Sequence, residues 1–385
     1  MRRLLTHILL LIWSAAPALA ESPLESALQV YLPPNDRLRA SLEQALQKGP
    51  GADPSVKGYV TANRQALDRA LKATRGSGSL LPPDFQEYER LQDLGLALAA
   101  RGALEGQPDD ILAVLEISKS AYGQKGFAGC RAGQHLARAA LRALATWVDG
   151  ATSAPPLEET LGRLKTLQGG LPCLSGAIST ELNRAKREVS EVCRDPSAGG
   201  SGEEFQLLRR LGTPGREMVL REFSRLSRAY ATLADRAIGS GSIAPMQDFL
   251  GELQQVRDHY RKGARRVVAP SPEELARALA AALLPDLSGL VQESLWTQAY
   301  ASAVPVLVRL KVKELESGQF PPDLTALGGP PADPFGGKMV YAAGPGGIRL
   351  YSLGPDQQDQ GGKHDLPSVQ DSAGSDIVFI LGAPP

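Results

Sequence analysis

Between Gly328 and Asp365 the chain places 10 glycines and 5 prolines within 38 residues, and no helix tolerates that density of backbone entropy and missing donors. The text before it reads the opposite way. From Glu21 to about Pro285, apolar residues recur every three or four positions, the period of a helix with one buried face. Aromatics are 5% of the chain against 43% apolar residues in all, so those helices must pack through Ala, Leu and Val. In and after the Gly/Pro-rich stretch, short β-type runs lie at 338–342, 347–353 and 376–381, and Ala343-Gly344-Pro345-Gly346 between the first two is a hairpin signal. Helices first and strands afterwards define an α+β chain. The expected layout is an all-α domain of helical hairpins over residues 21–285, then a small helix-plus-antiparallel-sheet module over 286–385. Asp195–Gly202 is a linker by composition, dividing the helical part into two sub-bundles.

Individual helices can be placed. Asn35 or Asp36 caps one running to Gln47. Gly76-Ser77-Gly78-Ser79 is a joint, and Pro82-Pro83-Asp84 opens a helix with Phe85, Tyr88, Leu91, Leu94 and Leu98 on its apolar side. Gly106-Gln107-Pro108 turns the chain into a partner helix carrying Ile111, Leu112, Leu115 and Ile117, which makes an antiparallel hairpin. Leu94–Tyr122 loosely resembles a tetratricopeptide-like hairpin, but a period of about 34 residues does not repeat. Further helices are expected at 132–148, 157–167 and 174–192. Another starts at Thr213-Pro214, with Thr213 as its cap and Val219, Phe223, Leu226 and Tyr230 on its apolar face. The last two fall at 246–260 and at 286–315, the latter kinked or interrupted at Pro305.

Residues 1–20 have the parts of a secretory signal: Arg2-Arg3, the apolar run Ile8–Trp13, and the small-x-small site Ala18-Leu19-Ala20. Export to a periplasm or to the outside of the cell follows, and no later stretch qualifies as a membrane span. Three cysteines then enter an oxidising compartment. Cys173 and Cys193 flank one helix, whose ends lie about 28 Å apart at ~1.5 Å per residue, too far for a bridge. The expected states are a pair between Cys130 and one of the others, or three free thiols.

Lys plus Arg and Asp plus Glu balance at 42 each, which argues against a nucleic-acid partner. Neither Gly-x-Ser-x-Gly, nor a phosphate-binding Gly-rich loop ending in Gly-Lys-Ser/Thr, nor His-Glu-x-x-His occurs. After the leader the histidines are His135, His259 and His364; the first two read as surface or boundary positions. No enzyme activity is expected.

The last quarter carries four motifs in order: Glu316-Ser317-Gly318-Gln319-Phe320-Pro321-Pro322-Asp323-Leu324, Asp333-Pro334-Phe335-Gly336-Gly337-Lys338, Leu350-Tyr351-Ser352-Leu353-Gly354-Pro355-Asp356 and Gly374-Ser375-Asp376-Ile377. Over about residues 295–385 these resemble the C-terminal domain of the major pseudopilins of type II secretion systems. The resemblance implies a helix, a small antiparallel sheet and a calcium-holding Ser-Leu-Gly-x-Asp loop. It does not extend to the family's prepilin processing site or its apolar N-terminal helix, and the family's Asp-Pro-Trp-Gly is Asp-Pro-Phe-Gly in this chain. Independently of the resemblance, Gly354–Ser375 is a 22-residue polar connection between two strands with Asp356, Asp359, Asp365 and Asp371, and Asp376 just beyond. Connections of that length are ion-organised, functional or disordered. The expected calcium ligands are the side chains of Asp356, Asp359 and Asp376, with carbonyls near Leu353 and Gln358. The expected function is that of an exported non-enzymatic protein, with a helical protein-interaction domain and a calcium-stabilised pseudopilin-like tail. The alternative is an accessory component of a type II secretion or pilus-like machine, docking through the tail onto secretion-system partners.

Overall fold

Helices follow the apolar periodicity closely in the computed structural model, which describes residues 22, 24–76, 79–82, 85–124, 126–168, 174–197, 203–263, 271–344, 347–362 and 376–382. The leader, Cys173 and residues 198–202 of the linker lie outside the described residues, as do His364, Asp365 and Asp371. The helices are α1 (Glu25–Val30), α2 (Asp36–Lys48), α3 (Pro54–Ala62), α4 (Arg64–Thr74), α5 (Tyr88–Glu105), α6 (Pro108–Gly123), α7 (Phe127–Asp149) and α8 (Ala154–Gln168). They continue with α9 (Leu174–Arg194), α10 (Glu203–Arg210), α11 (Thr213–Ser240), α12 (Ala244–Gly263), α13 (Pro272–Leu283) and α14 (Ser288–Ser317). Strands β1 (Val340–Gly344), β2 (Gly347–Ser352) and β3 (Ile377–Gly382) form an antiparallel sheet in that order. The protein is mostly helical with a small C-terminal sheet, which agrees with the α+β expectation.

Local chemistry explains where the elements begin. Asn35 is extended and its side chain accepts the Leu38 N–H at 2.9 Å, so α2 starts as expected. Ser271 and Glu274 close a capping box on α13. Three expectations need correction. Helix α5 begins at Tyr88 and not at Pro82, leaving Phe85 buried ahead of it in an edge-on contact with Tyr88. Thr213 is the first residue of α11, whose cap is Gly212. Helix α14 starts at Ser288, with Asp286 outside it accepting the Ser288 N–H at 2.9 Å, and of the two states expected at Pro305 the interruption does not occur.

The buried apolar side chains form two cores. The first is built from α1 to α8. Helix α7 is its axis, lying close against α5, where a Cβ on Gly95 would overlap the Leu136 side chain. The second spans α9 to α14, reaches Cys130 and Val148 of α7 and Leu157 of α8, and takes in Phe335, Met339 and one face of the sheet: Ile348, Leu350, Ile377, Phe379 and Leu381. The register pairs these residues directly, Ile348 with Leu381 and Leu350 with Phe379. Helix α14 touches both cores, with Val304 in the first and Ala303 and Val306 in the second. Tyr300 of α14 meets Phe379 edge-on at 4.9 Å.

One glycine fixes how the helices meet the tail. Gly241 ends α11 in the left-handed conformation, and a Cβ there would run into the Pro334 carbonyl oxygen and the Phe335 backbone. Gly241→Ala is therefore expected to destabilise the chain by ~2–3 kcal/mol, from left-handed strain and overpacking together. A lowered urea midpoint at unchanged slope is the measurement. Wild-type stability in that variant would mean the contact yields easily.

Candidate metal centre

The tail is organised around Asp333, which the sequence placed in a motif but not among the site residues. Its Oδ1 accepts the Phe335 N–H at 2.9 Å and the Ser352 hydroxyl at 2.8 Å, and its Oδ2 accepts the Leu353 N–H at 2.9 Å. Ser352 Oγ accepts in turn from the Gly354 N–H at 3.1 Å. The Asp-Pro-Phe-Gly turn and the Ser-Leu-Gly segment at the end of β2 are thus one hydrogen-bonded unit, closed underneath by buried Phe335. Aspartate suits this position because a carboxylate, with two oxygens and no donor of its own, accepts three donors at once in a small space.

From this anchor the loop 353–362 winds back toward the start of β3. Gln357 holds a left-handed backbone at φ 55°, uncommon for a residue with a Cβ, and its side chain donates to the Phe335 carbonyl at 2.5 Å. Half-buried Asp356 accepts the Gln358 N–H at 3.0 Å and the Gln360 side-chain amide at 2.8 Å. Exposed Asp359 accepts the Gly361 N–H at 2.7 Å and the Tyr351 hydroxyl at 3.1 Å. Gly362 lies against the Tyr351 ring, where a Cβ would be crowded, and donates its N–H to Asp376 Oδ2 at 2.9 Å. Gln360 joins the two ends, since its side-chain oxygen accepts the Asp376 N–H at 3.0 Å.

Asp376 is 1% exposed, and its second oxygen, Oδ1, is buried with no hydrogen-bond partner among the described residues. Burial pushes its carboxyl above the ordinary value, against the Gly362 N–H that favours the charge, and the negative charges of Asp359 and Asp356 push it further. The charges of the other two expected carboxylates therefore both reach Asp376. Leu353 is held by its N–H on Asp333, and Gln358 is exposed beside Asp356. Among the described residues no group of three or more His, Cys, Asp or Glu side chains stands ready as a metal cage; the carboxylates rest on loop N–H donors instead. Tyr351, Gln360 and Asp333 are the members that sequence reasoning missed. A tyrosine beside a run of acids and amides is a weak signal, whereas the Asp-Pro turn was visible as a motif.

The raised Asp376 carboxyl has a pH signature. With its folded value above the ordinary 3.8, the folded chain holds this proton more tightly than the unfolded one. Its contribution is most favourable at low pH and declines as pH rises through the folded value. In chelator, replacing Asp376 by Asn is expected to remove that decline. Urea midpoints of both proteins from pH 4 to 7 measure it, and parallel curves would show Asp376 to be unperturbed.

Elsewhere the expected features resolve simply. Cys130 is buried and Cys193 half-buried, and both are free thiols, so these two do not pair. Burial pushes the Cys130 thiol up to about 12. His135 is half-buried on α7, and burial together with Arg138, Arg131 and Arg142 holds it down to about 4. Among the described residues no helix is long and apolar enough to cross a membrane. Comparison with protein-family models, curated proteins and solved structures returns no match to this chain.

Proposed function

We propose that this chain is an exported, non-enzymatic binding protein whose helices present a protein-interaction surface and whose pseudopilin-like tail is held together by one calcium ion. The supporting observation is the buried Oδ1 of Asp376, without a hydrogen-bond partner among the described residues, with the charges of Asp359 and Asp356 acting on it. An unmatched buried acceptor costs about 1–3 kcal/mol, and like charges near it add to that cost; a bound cation removes both penalties. The donors on offer are hard oxygens, the preference of calcium, which takes 6–8 of them in a flexible cage. Asp376, Asp359 and Asp356 would hold the ion, with the carbonyls of Leu353 and Gln358 completing the set. Its chemistry there is structural, tying the start of β3 to the end of β2. The leader supplies the export half of the reading, and calcium outside cells suits sites with Kd of ~0.1–1 mM.

Titration calorimetry of the purified chain tests the site. One calcium-binding event is expected, lost in Asp376→Asn and not reproduced by magnesium, which demands tighter octahedral geometry. Absence of heat at several millimolar calcium, or unchanged binding in Asp376→Asn, contradicts the proposal.

A further inference from the structure

Strand β3 is an edge of the sheet, and its pairing shows which backbone groups face outward. The Gly382 N–H donates to Asp149 Oδ1 at 2.7 Å and turns away from its register partner Gly347. Residues of an antiparallel strand alternate between facing the partner strand and facing away from it. Val378 and Ile380 therefore point their N–H and C=O groups outward as well, and among the described residues nothing hydrogen-bonds to them there. Beside this edge runs a groove of about 200 Å³ that touches four consecutive residues, Ile377, Val378, Phe379 and Ile380. Neighbouring strand side chains point to opposite faces, so a groove reaching all four follows the backbone edge. Its far wall is one face of α7, formed by Arg142, Ala145, Thr146 and Asp149 at helical spacing. Asp149 is engaged by Gly382, whereas Arg142 has no hydrogen bond or ion pair among the described residues. Ile380, 36% exposed, is one of the few large apolar side chains left at the surface among the described residues.

We infer that this groove takes an extended peptide as a fourth strand, pairing with Val378 and Ile380 and placing an acidic side chain on Arg142. Unpaired edge groups give such a site its grip, and a side-chain contact gives it preference. Among the described residues Arg142 is the unneutralised charge on its wall, so an acidic segment is the complementary occupant. The site stands without the calcium reading and is measured both in calcium and in chelator.

The probe is a fluorescently labelled hexapeptide of alternating valine and threonine with one central glutamate, followed by anisotropy on the purified chain. It is expected to bind at least tenfold more tightly than its lysine counterpart, and a copy N-methylated at alternate residues is expected not to bind. Arg142→Glu should reverse the preference, a gain for the lysine peptide that also shows the variant to be folded. Hydrogen exchange over residues 377–382 should slow with the glutamate peptide alone. Equal binding of all three peptides, or an unchanged preference in Arg142→Glu, overturns the inference. So does a concentration-dependent dimer that Ile380→Pro dissolves and the peptide cannot displace, because the occupant would then be a second copy.

Discussion

Arg101→Met is expected to destabilise the chain by about 3–5 kcal/mol, the usual consequence of stripping one partner from a buried ion pair. Arg101 and Asp110 side chains are each 4% exposed. The guanidinium grips Asp110 through both edges, Nε to Oδ2 at 2.6 Å and Nη2 to Oδ1 at 2.8 Å, while Nη1 reaches Asp68 at 2.6 Å. Three helices, α4, α5 and α6, meet at this one side chain. With methionine in its place the apolar stem is kept, but Asp110 is left as an unpaired buried charge. The double variant Arg101→Met, Asp110→Leu should recover most of the loss, since well-packed apolar replacements of a buried pair are often neutral. Urea midpoints at constant slope give both numbers. A single-variant loss under about 1 kcal/mol would mean that water reaches the pair.

Asp333→Ala is the second large effect, at about 4 kcal/mol. Hydrogen bonds to a charged acceptor contribute roughly 1.5–3 kcal/mol each and do not simply add, and three donors lose this acceptor together: the Phe335 N–H, the Leu353 N–H and the Ser352 hydroxyl. The loss should be local as well as global. Hydrogen exchange at Phe335 and Leu353 is expected to accelerate well beyond exchange in α5 to α7, and the response to calcium should vanish because loop 353–362 loses its anchor. Asp333→Asn, which keeps a carbonyl acceptor, should fall between the two. Uniform exchange across both cores would contradict the local role of Asp333.

These two residues also mark where sequence reading stops. Helical periodicity is a short-range property, so α2, α6, α8 and the heart of α11 were legible to within a few residues from their own apolar spacing. The Gly/Pro-rich tail announced the change to strands, and Pro345-Gly346 announced the hairpin. Boundaries failed where a tertiary contact outweighed a local signal. Phe85 has helical spacing with Tyr88 yet lies ahead of the helix, packed edge-on against Tyr88, and the interruption that Pro305 allowed does not occur in a helix that both cores hold in place. Nothing in the spacing of Arg101, Asp110 and Asp68 reveals that they converge. Likewise, Gly241 looks like an ordinary helix stop until the Pro334–Phe335 backbone is found resting on it. At the candidate site the acidic residues were readable as a cluster of charge. The hydrogen bonds that Asp333, Gln360 and Tyr351 contribute were not, because they link positions separated by many residues.

The central claim, that calcium holds the tail together through Asp376, is tested most directly by melting the chain in excess calcium and again in chelator. A ligand of the folded state at a hundredfold excess over Kd stabilises it by about 2.7 kcal/mol, which for a protein of this size is a rise of a few degrees. The account predicts that rise in the wild type and its absence in Asp376→Asn. Coincident wild-type melts would contradict it, leaving Asp376 Oδ1 as a buried acceptor with no cation to answer it.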